Sequence, residues 1–295
     1  MLIRFGFEID VACEVDVPML LSLSTHPDGA GRLIGEDRVR TERDCPMTSY
    51  SDRFGNRITR VVAPEGTTRF WSDCVIEQDG APDELAPQAW QHEIADLPNE
   101  VLSYLLPSRY CDSDALVDKV WPLFGKVTGW NRVQAICDFV HTHVTFGYQF
   151  GRADKTASEV FREKAGVCRD FAHLAIALCR AMNIPARYAS GYLGDIGVPY
   201  SGPGDFSAWF EVYLGGRWYT FDARHNRRRI GRILMVRGSD ASDCAIITSF
   251  GAHELTYFRV WTNELPDMSD ERLHGLLAQR PEGAPLVYPS SARVG

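Results

Sequence analysis

The chain is predicted to be an α+β protein: an N-terminal antiparallel β domain, then a core in which a buried helix packs on an antiparallel sheet. Three observations predict this. Ile3, Phe5, Phe7, Ile9 and Val11 alternate with Arg4, Gly6, Glu8 and Asp10, the period of a strand with one buried face. Residues 168–182 are apolar on almost every side, as a helix enclosed by a core must be. Gly215-Gly216 separates two aromatic and β-branched runs, GDFSAWFEVYL and RWYTFDARH, and a two-glycine link of this kind marks a β-hairpin.

Composition narrows the function classes. With 295 residues, 45% hydrophobic and 24% charged, the chain can bury a sizeable core and is not a disordered polymer. Its net charge of −8 argues against a nucleic-acid partner, which needs a basic surface. No apolar run reaches the roughly 18–20 residues of a membrane span, and Arg4, Glu8 and Asp10 interrupt the start, so neither a span nor a signal peptide is expected. The eight cysteines are scattered, without a CxxC pair or zinc-like spacing. Reduced thiols in a cytoplasmic protein, with no metal and no organic cofactor, are the expectation.

In chain order, strand-like runs at 58–63 and 67–76, separated by turn-rich stretches, extend the β domain over residues 1–95. From Leu97 the pattern turns helical, at 114–126 and 130–144, opening a core predicted to span 96–262. His141 and His143, two positions apart on the second helix, point away from each other and make a poor metal pair. Thr156-Ala157-Ser158-Glu159 has the form of a capping box for a short helix that stops at Gly166. That break places Cys168 at the mouth of the next helix, which ends ahead of Pro185. Strands are expected at 186–193, on both sides of the hairpin, and at 231–238 and 244–251. The Pro, Ser and Gly content of 263–295 suggests a surface tail.

A thiol at a helix N-terminus is stabilised as thiolate by unpaired N–H groups and the helix dipole, and the same N–H groups can receive an oxyanion. On position alone a buried structural cysteine remains an alternative, and Cys179 on the same helix is read that way. The hairpin register adds geometry: Leu214 opposite Arg217 sets Trp209 opposite Asp222 and Ser207 opposite Arg224, all on one face. A His at 207, oriented by Asp222, would complete a Cys–His–Asp relay; the residue there is Ser. His225 falls on the opposite face by strict alternation, unless the strand ends near Arg224 and turns it back. His173 reads as a hydrogen-bonded core histidine.

The blocks GVCRDFAHL, DFSAWFEVYLGGRWYTFDARHN and GRILMVRGSDASDCAIITSFG resemble the bacterial transglutaminase-like proteins of the transglutaminase/papain-like superfamily, described as candidate cysteine proteases. The resemblance implies Cys168 as nucleophile and Asp222 as third triad member, with a peptide or protein as substrate and water or an amine as acyl acceptor. The family's hairpin reads His-Ala-Trp where this chain has Ser207-Ala208-Trp209.

Three readings follow: a cysteine acyl-transfer enzyme impaired by Ser207, a degenerate frame that binds without turnover, or a parent enzyme with His exchanged for Ser to trap substrate. Trp209, His225 and Arg224 are candidate pocket residues, Trp209 being equally at home in the core. The basic run Arg224, Arg227, Arg228, Arg229 and Arg232 is either solvated surface or a rim for an acidic substrate. Oligomeric state is not legible.

Overall fold

A computed structural model describes residues 1–29, 31–279 and 281, which form three antiparallel sheets and one short parallel pair. The first sheet centres on Leu2–Cys13, flanked by Gly66–Glu77 and by Glu254–Leu265. The second runs Ile247–Ser249, Val17–Leu21, Arg57–Ala63, Met47–Ser51. Both therefore take their last strand from beyond the hairpin, so backbone pairing crosses the division the sequence suggests.

The first strand is buried on both faces, not one. Its polar residues are held by ion pairs: Arg4 forks onto Asp73 at 3.0 and 2.6 Å, and Glu8 meets Arg259 at 3.3 Å. Arg4 also donates to the backbone carbonyls of Leu276 and Gln279, at the end of a helix Asp270–Leu277 whose Leu273 packs with Leu2, Ile34 and Val75. Residues 263–277 are thus the end of a strand and a docked helix, where a tail was expected. Residues 280 and 282–295 of that predicted tail lie outside the described residues.

The third sheet, in the order Arg217–Phe221, Phe206–Leu214, Ala186–Leu193, Arg232–Gly238, carries the central helix Cys168–Ala181 on one face. Phe206, Ala208, Phe210, Val212 and Leu214 alternate into the same core as Leu174, Ile176 and Leu178 of that helix. Trp209, of the opposite parity, packs with Ala189 and Leu234 instead. Gly129–His143, Val117–Phe124 and Ala157–Glu163 surround the helix. Arg180, buried within it, is satisfied by the carbonyls of Ala186, Leu106 and Ser239 and by Ser108 Oγ, as a buried cation must be.

Gly215 and Gly216 have φ of 55° and 88°, the left-handed pair a two-residue hairpin turn needs, and Leu214 pairs with Arg217 as the sequence predicts. A second glycine sets the sheet's spacing. Gly191 sits at a bulge between Ser207 and Leu234, where a Cβ would come within 2.1 Å of the Ile233 carbonyl oxygen. Backbone cannot yield there as a side-chain tip would. Gly191→Ala should therefore cost at least about 2 kcal/mol of stability, the upper part of the usual overpacking range, measured by denaturant unfolding. Unchanged stability would contradict this close approach.

Candidate active site

Cys168 is delivered by a short, tightly specified approach. Thr156 N–H donates to the Glu159 carboxylate (2.9 Å) to open the helix Ala157–Glu163, and Lys164 ends it at φ 57°. Thr145–Phe146 then pairs in parallel with Ala165–Gly166. Val167 is extended, and its N–H is taken by Asp170 Oδ2 at 2.8 Å, which sets the first turn of the central helix. Gly166 has to lack a side chain, because a Cβ would lie 2.6 Å from Asp170.

Cys168 and Ser207 line one cavity of about 170 Å³ with Tyr148, Tyr188, Ser190 and Asp205. Ser207 is buried, and among the described residues its Oγ has no hydrogen-bond partner. Tyr148, Asp205, Phe206 and Ser207 also border a larger cleft of about 670 Å³, whose other walls include Arg224, His225 and Arg229 and the stretch 259–264 of the first sheet. Tyr148 OH donates to Asp205 at 3.1 Å. Burial pushes the Cys168 thiol above its ordinary value; Arg224 pulls it down, Asp205 pushes it up, and an Ala208 backbone hydrogen bond and Arg169 lower it without reversing the outcome. The thiolate stabilisation expected of a helix mouth is thus outweighed by desolvation.

Asp222 lines neither cavity. The hairpin ladder stops at Phe210–Phe221, so the pairings Trp209–Asp222 and Ser207–Arg224 extrapolated from the sequence do not form. The chain turns instead, with Asn226 N–H on Asp222 O at 2.8 Å. The Asp222 carboxylate accepts from His225 N–H (2.9 Å) and His225 Nδ1 (2.8 Å), so the turn does bring His225 back. Arg232 completes the set at 2.9 Å while also binding Asp83 at 2.9 and 3.0 Å. Burial alone would raise the Asp222 carboxyl, but Arg232 and His225 outweigh it and hold it well below the usual carboxylate range.

Trp209 also lines neither cavity; it is buried, with the Arg232 guanidinium 5.0 Å from its ring centre. The basic run is not uniformly solvated. Arg229 and Arg232 are buried against Asp195, Asp83 and Asp222, whereas Arg224 and His225 reach the cleft. His173 accepts from Ala241 N–H (3.1 Å), stacks on Tyr110, and is pushed down to about 3 chiefly by burial. His141 and His143 donate to the carbonyls of Arg224 and Phe161. All eight cysteines are free, and among the described residues no cluster of three or more His, Cys, Asp or Glu is placed to hold a metal ion. None of the helices among the described residues is long and apolar enough to cross a membrane.

Sequence reasoning missed Tyr148, Asp205, Asp83 and the role of Arg232. Only Arg232 left a signal, as a charge heading the otherwise apolar run ILMV.

Residues 125–223 match the family model of the transglutaminase-like superfamily. An uncharacterised protein of Mycobacterium leprae is 38% identical over 220 residues, 71% of this chain and 77% of that protein. An uncharacterised protein of Mycobacterium tuberculosis is 28% identical over 215 residues, 65% and 68% of the two chains. Among solved structures, a Cytophaga hutchinsonii protein described as a candidate cysteine protease superposes with a TM-score of 0.81 at 29% identity, covering 91% of this chain and 92% of that one.

Two outcomes are expected of this geometry. Alkylation of Cys168 by iodoacetamide, read by mass spectrometry across pH, should have its midpoint above the ~8.5 of an unperturbed cysteine, and a midpoint at or below that value would refute the desolvated thiol. Asp222→Asn should lose about 1.5–3 kcal/mol, because the charge-assisted hydrogen bonds from Arg232 and His225 lose their anionic acceptor while Arg232 keeps Asp83. The sign of the pH effect follows from the lowered folded pKa: the contribution of Asp222 is complete above about pH 4, its unfolded value, and is lost as pH falls toward the folded one. The variant's stability should therefore vary less with acid than that of the parent, and an equally steep acid limb would refute the assignment.

Proposed function

Since the chain belongs to the transglutaminase-like superfamily, we propose that it is a cysteine acyl-transfer enzyme of peptidase, amidase or transamidase type, slowed by the serine at position 207. Cys168 Sγ attacks the carbonyl carbon of a peptide or protein carboxamide, an S–C bond forms, and the C–N bond breaks as the amine leaves with a proton. Water or a second amine then attacks the thioester, releasing the acyl group and returning a proton to sulfur. The backbone N–H groups of the first helical turn are the natural donors to the carbonyl oxygen as charge develops on it. The observation that carries this reading is the shared cavity of Cys168 and Ser207 at the helix mouth.

An imidazole at 207 would take the thiol proton and hand it to the leaving amine. A serine hydroxyl does neither near neutral pH. One observation favours a second reading, binding without turnover: Asp222 is already committed to Arg232 and His225 and does not wait for a base on the hairpin.

Acylation by p-nitrophenyl acetate, followed as acyl-enzyme by intact mass, separates the two. Ser207→His should acylate roughly 10²–10⁴-fold faster than the parent, the usual worth of general acid–base catalysis, and Cys168→Ala should abolish the adduct in both backgrounds. No acceleration in a folded Ser207→His protein would favour the binding reading.

A further inference from the structure

The cleft beside Cys168 is walled by charged side chains, most of them already partnered. Arg259 is paired with Glu8, Arg229 reaches the Gly194 carbonyl (2.8 Å) and Asp195 (3.6 Å), and Asp195 also binds Ser201. Asp205 accepts from Tyr148. Arg224 differs. Among the described residues its guanidinium has no carboxylate partner, although the chain carries 39 acidic against 31 basic side chains.

Arg224 is nonetheless held in place. Its guanidinium carbon sits 3.8 Å from the ring centre of Phe146, and its backbone carbonyl accepts from His141 Nδ1 at 2.8 Å. Phe146 in turn pairs with Gly166, two residues before the nucleophile. The perch of the guanidinium and the approach to Cys168 are therefore joined by one pair of strands. Arg224 borders the cleft together with Tyr148, Asp205, Phe206 and Ser207, and these four also line the cavity of Cys168, which joins the guanidinium's cleft to the reacting centre. A planar guanidinium stacked on a ring keeps its N–H edges free and has lost little freedom that binding would still have to remove.

We infer that Arg224 is the carboxylate-recognising residue of the cleft, so that the ligand taken there is a peptide bearing a carboxylate close to the carbonyl offered to Cys168. This rests on the acyl-transfer reading for the identity of that carbonyl. The carboxylate has two sources, an acidic side chain or a free peptide C-terminus, and the chemistry of recognition is common to both: a two-pronged, charge-assisted hydrogen bond to the guanidinium edge.

Calorimetric titration of the full chain with four short peptides tests this without requiring turnover. The first is an acetylated, amidated tripeptide with a central glutamate. The second is the same peptide with glutamine, the third is acetylated trialanine with a free C-terminus, and the fourth is its amide. At least one carboxylate-bearing peptide should bind about tenfold or more tighter than its neutral twin, the lower end of what a charge-assisted hydrogen bond supplies, and which of the two does so identifies the source. Arg224→Gln should bring each pair to parity. Arg224→Lys, which keeps the charge but loses the planar fork, should retain only part of the preference, and its thermal melt checks that substitution here leaves the fold intact.

Equal binding of the twins by the parent, no binding of any peptide, or a preference that survives in Arg224→Gln would overturn the inference. Acylation by the uncharged nitrophenyl ester does not use this contact. A failure here therefore leaves the acyl-transfer reading standing, and a failure there leaves the carboxylate contact of Arg224 standing and removes only the identity of the carbonyl beside it.

Discussion

The interaction on which the site depends is the buried carboxylate of Asp222 and the groups that neutralise it. A carboxylate removed from water is costly unless donors replace its hydration, and here Arg232 and two N–H groups of His225 do so. Because two of those donors belong to His225, just after the strand, satisfying Asp222 requires the chain to turn at once. That turn ends the hairpin ladder at Phe221 and carries Arg224 and His225 round to the cleft. Arg232, reaching back from the sheet's far edge strand to both Asp222 and Asp83, ties the two edges of the sheet and the segment after Glu77 together. Electrostatics at one buried atom thus decides which side chains the cleft receives.

The Cys168 end of the site rests on steric constraints. Gly166 gives room to Asp170, Asp170 caps Val167, and the helix begins at Cys168. The same close packing desolvates the thiol. Asp170 itself is raised by burial, which the Val167 N–H and nearby cations oppose, and among the described residues its Oδ1 has no hydrogen-bond partner. A helix mouth supplies a favourable field only to a thiol that solvent or a cation also reaches; here Arg224 provides part of that and burial takes more away.

What the sequence made legible was local. The hairpin register follows from two glycines and holds as far as Phe210–Phe221, because turn type fixes the pairing of its neighbours. It fails one residue later, where Arg232, ten positions along the chain, competes for Asp222. The capping of Ala157–Glu163 and the enclosure of the central helix were legible for the same reason. The burial of both faces of Leu2–Cys13 was not: the period of two is real, but Arg4 and Glu8 are covered by a helix and a strand some 250 residues away, and no periodicity announces a buried ion pair. In the site, Cys168 and position 207 could be found because helix ends and hairpin registers are local features. Tyr148 comes from a single 3-10 turn and Asp205 and Asp83 from loops, and tertiary packing alone sets how they approach.

The serine at 207 can be set against this background without treating the site as broken. Had Asp222 been poised for an imidazole on the hairpin, loss of that ring would leave a buried carboxylate short of a donor, and the fold would bear the cost. Instead Arg232 and His225 satisfy it, and the cavity that Cys168 lines holds at position 207 a small hydroxyl without a hydrogen-bond partner among the described residues. An unpaired neutral hydroxyl is a modest burden beside an unpaired charge. Stability and proton transfer are therefore separable here. Residue 207 holds the frame through its backbone, which pairs with Gly191 and accepts from Ser190 Oγ, and not through its hydroxyl. A change of chemistry at that side chain therefore bears on the fate of the thiol's proton while the backbone around the cleft keeps its pairing.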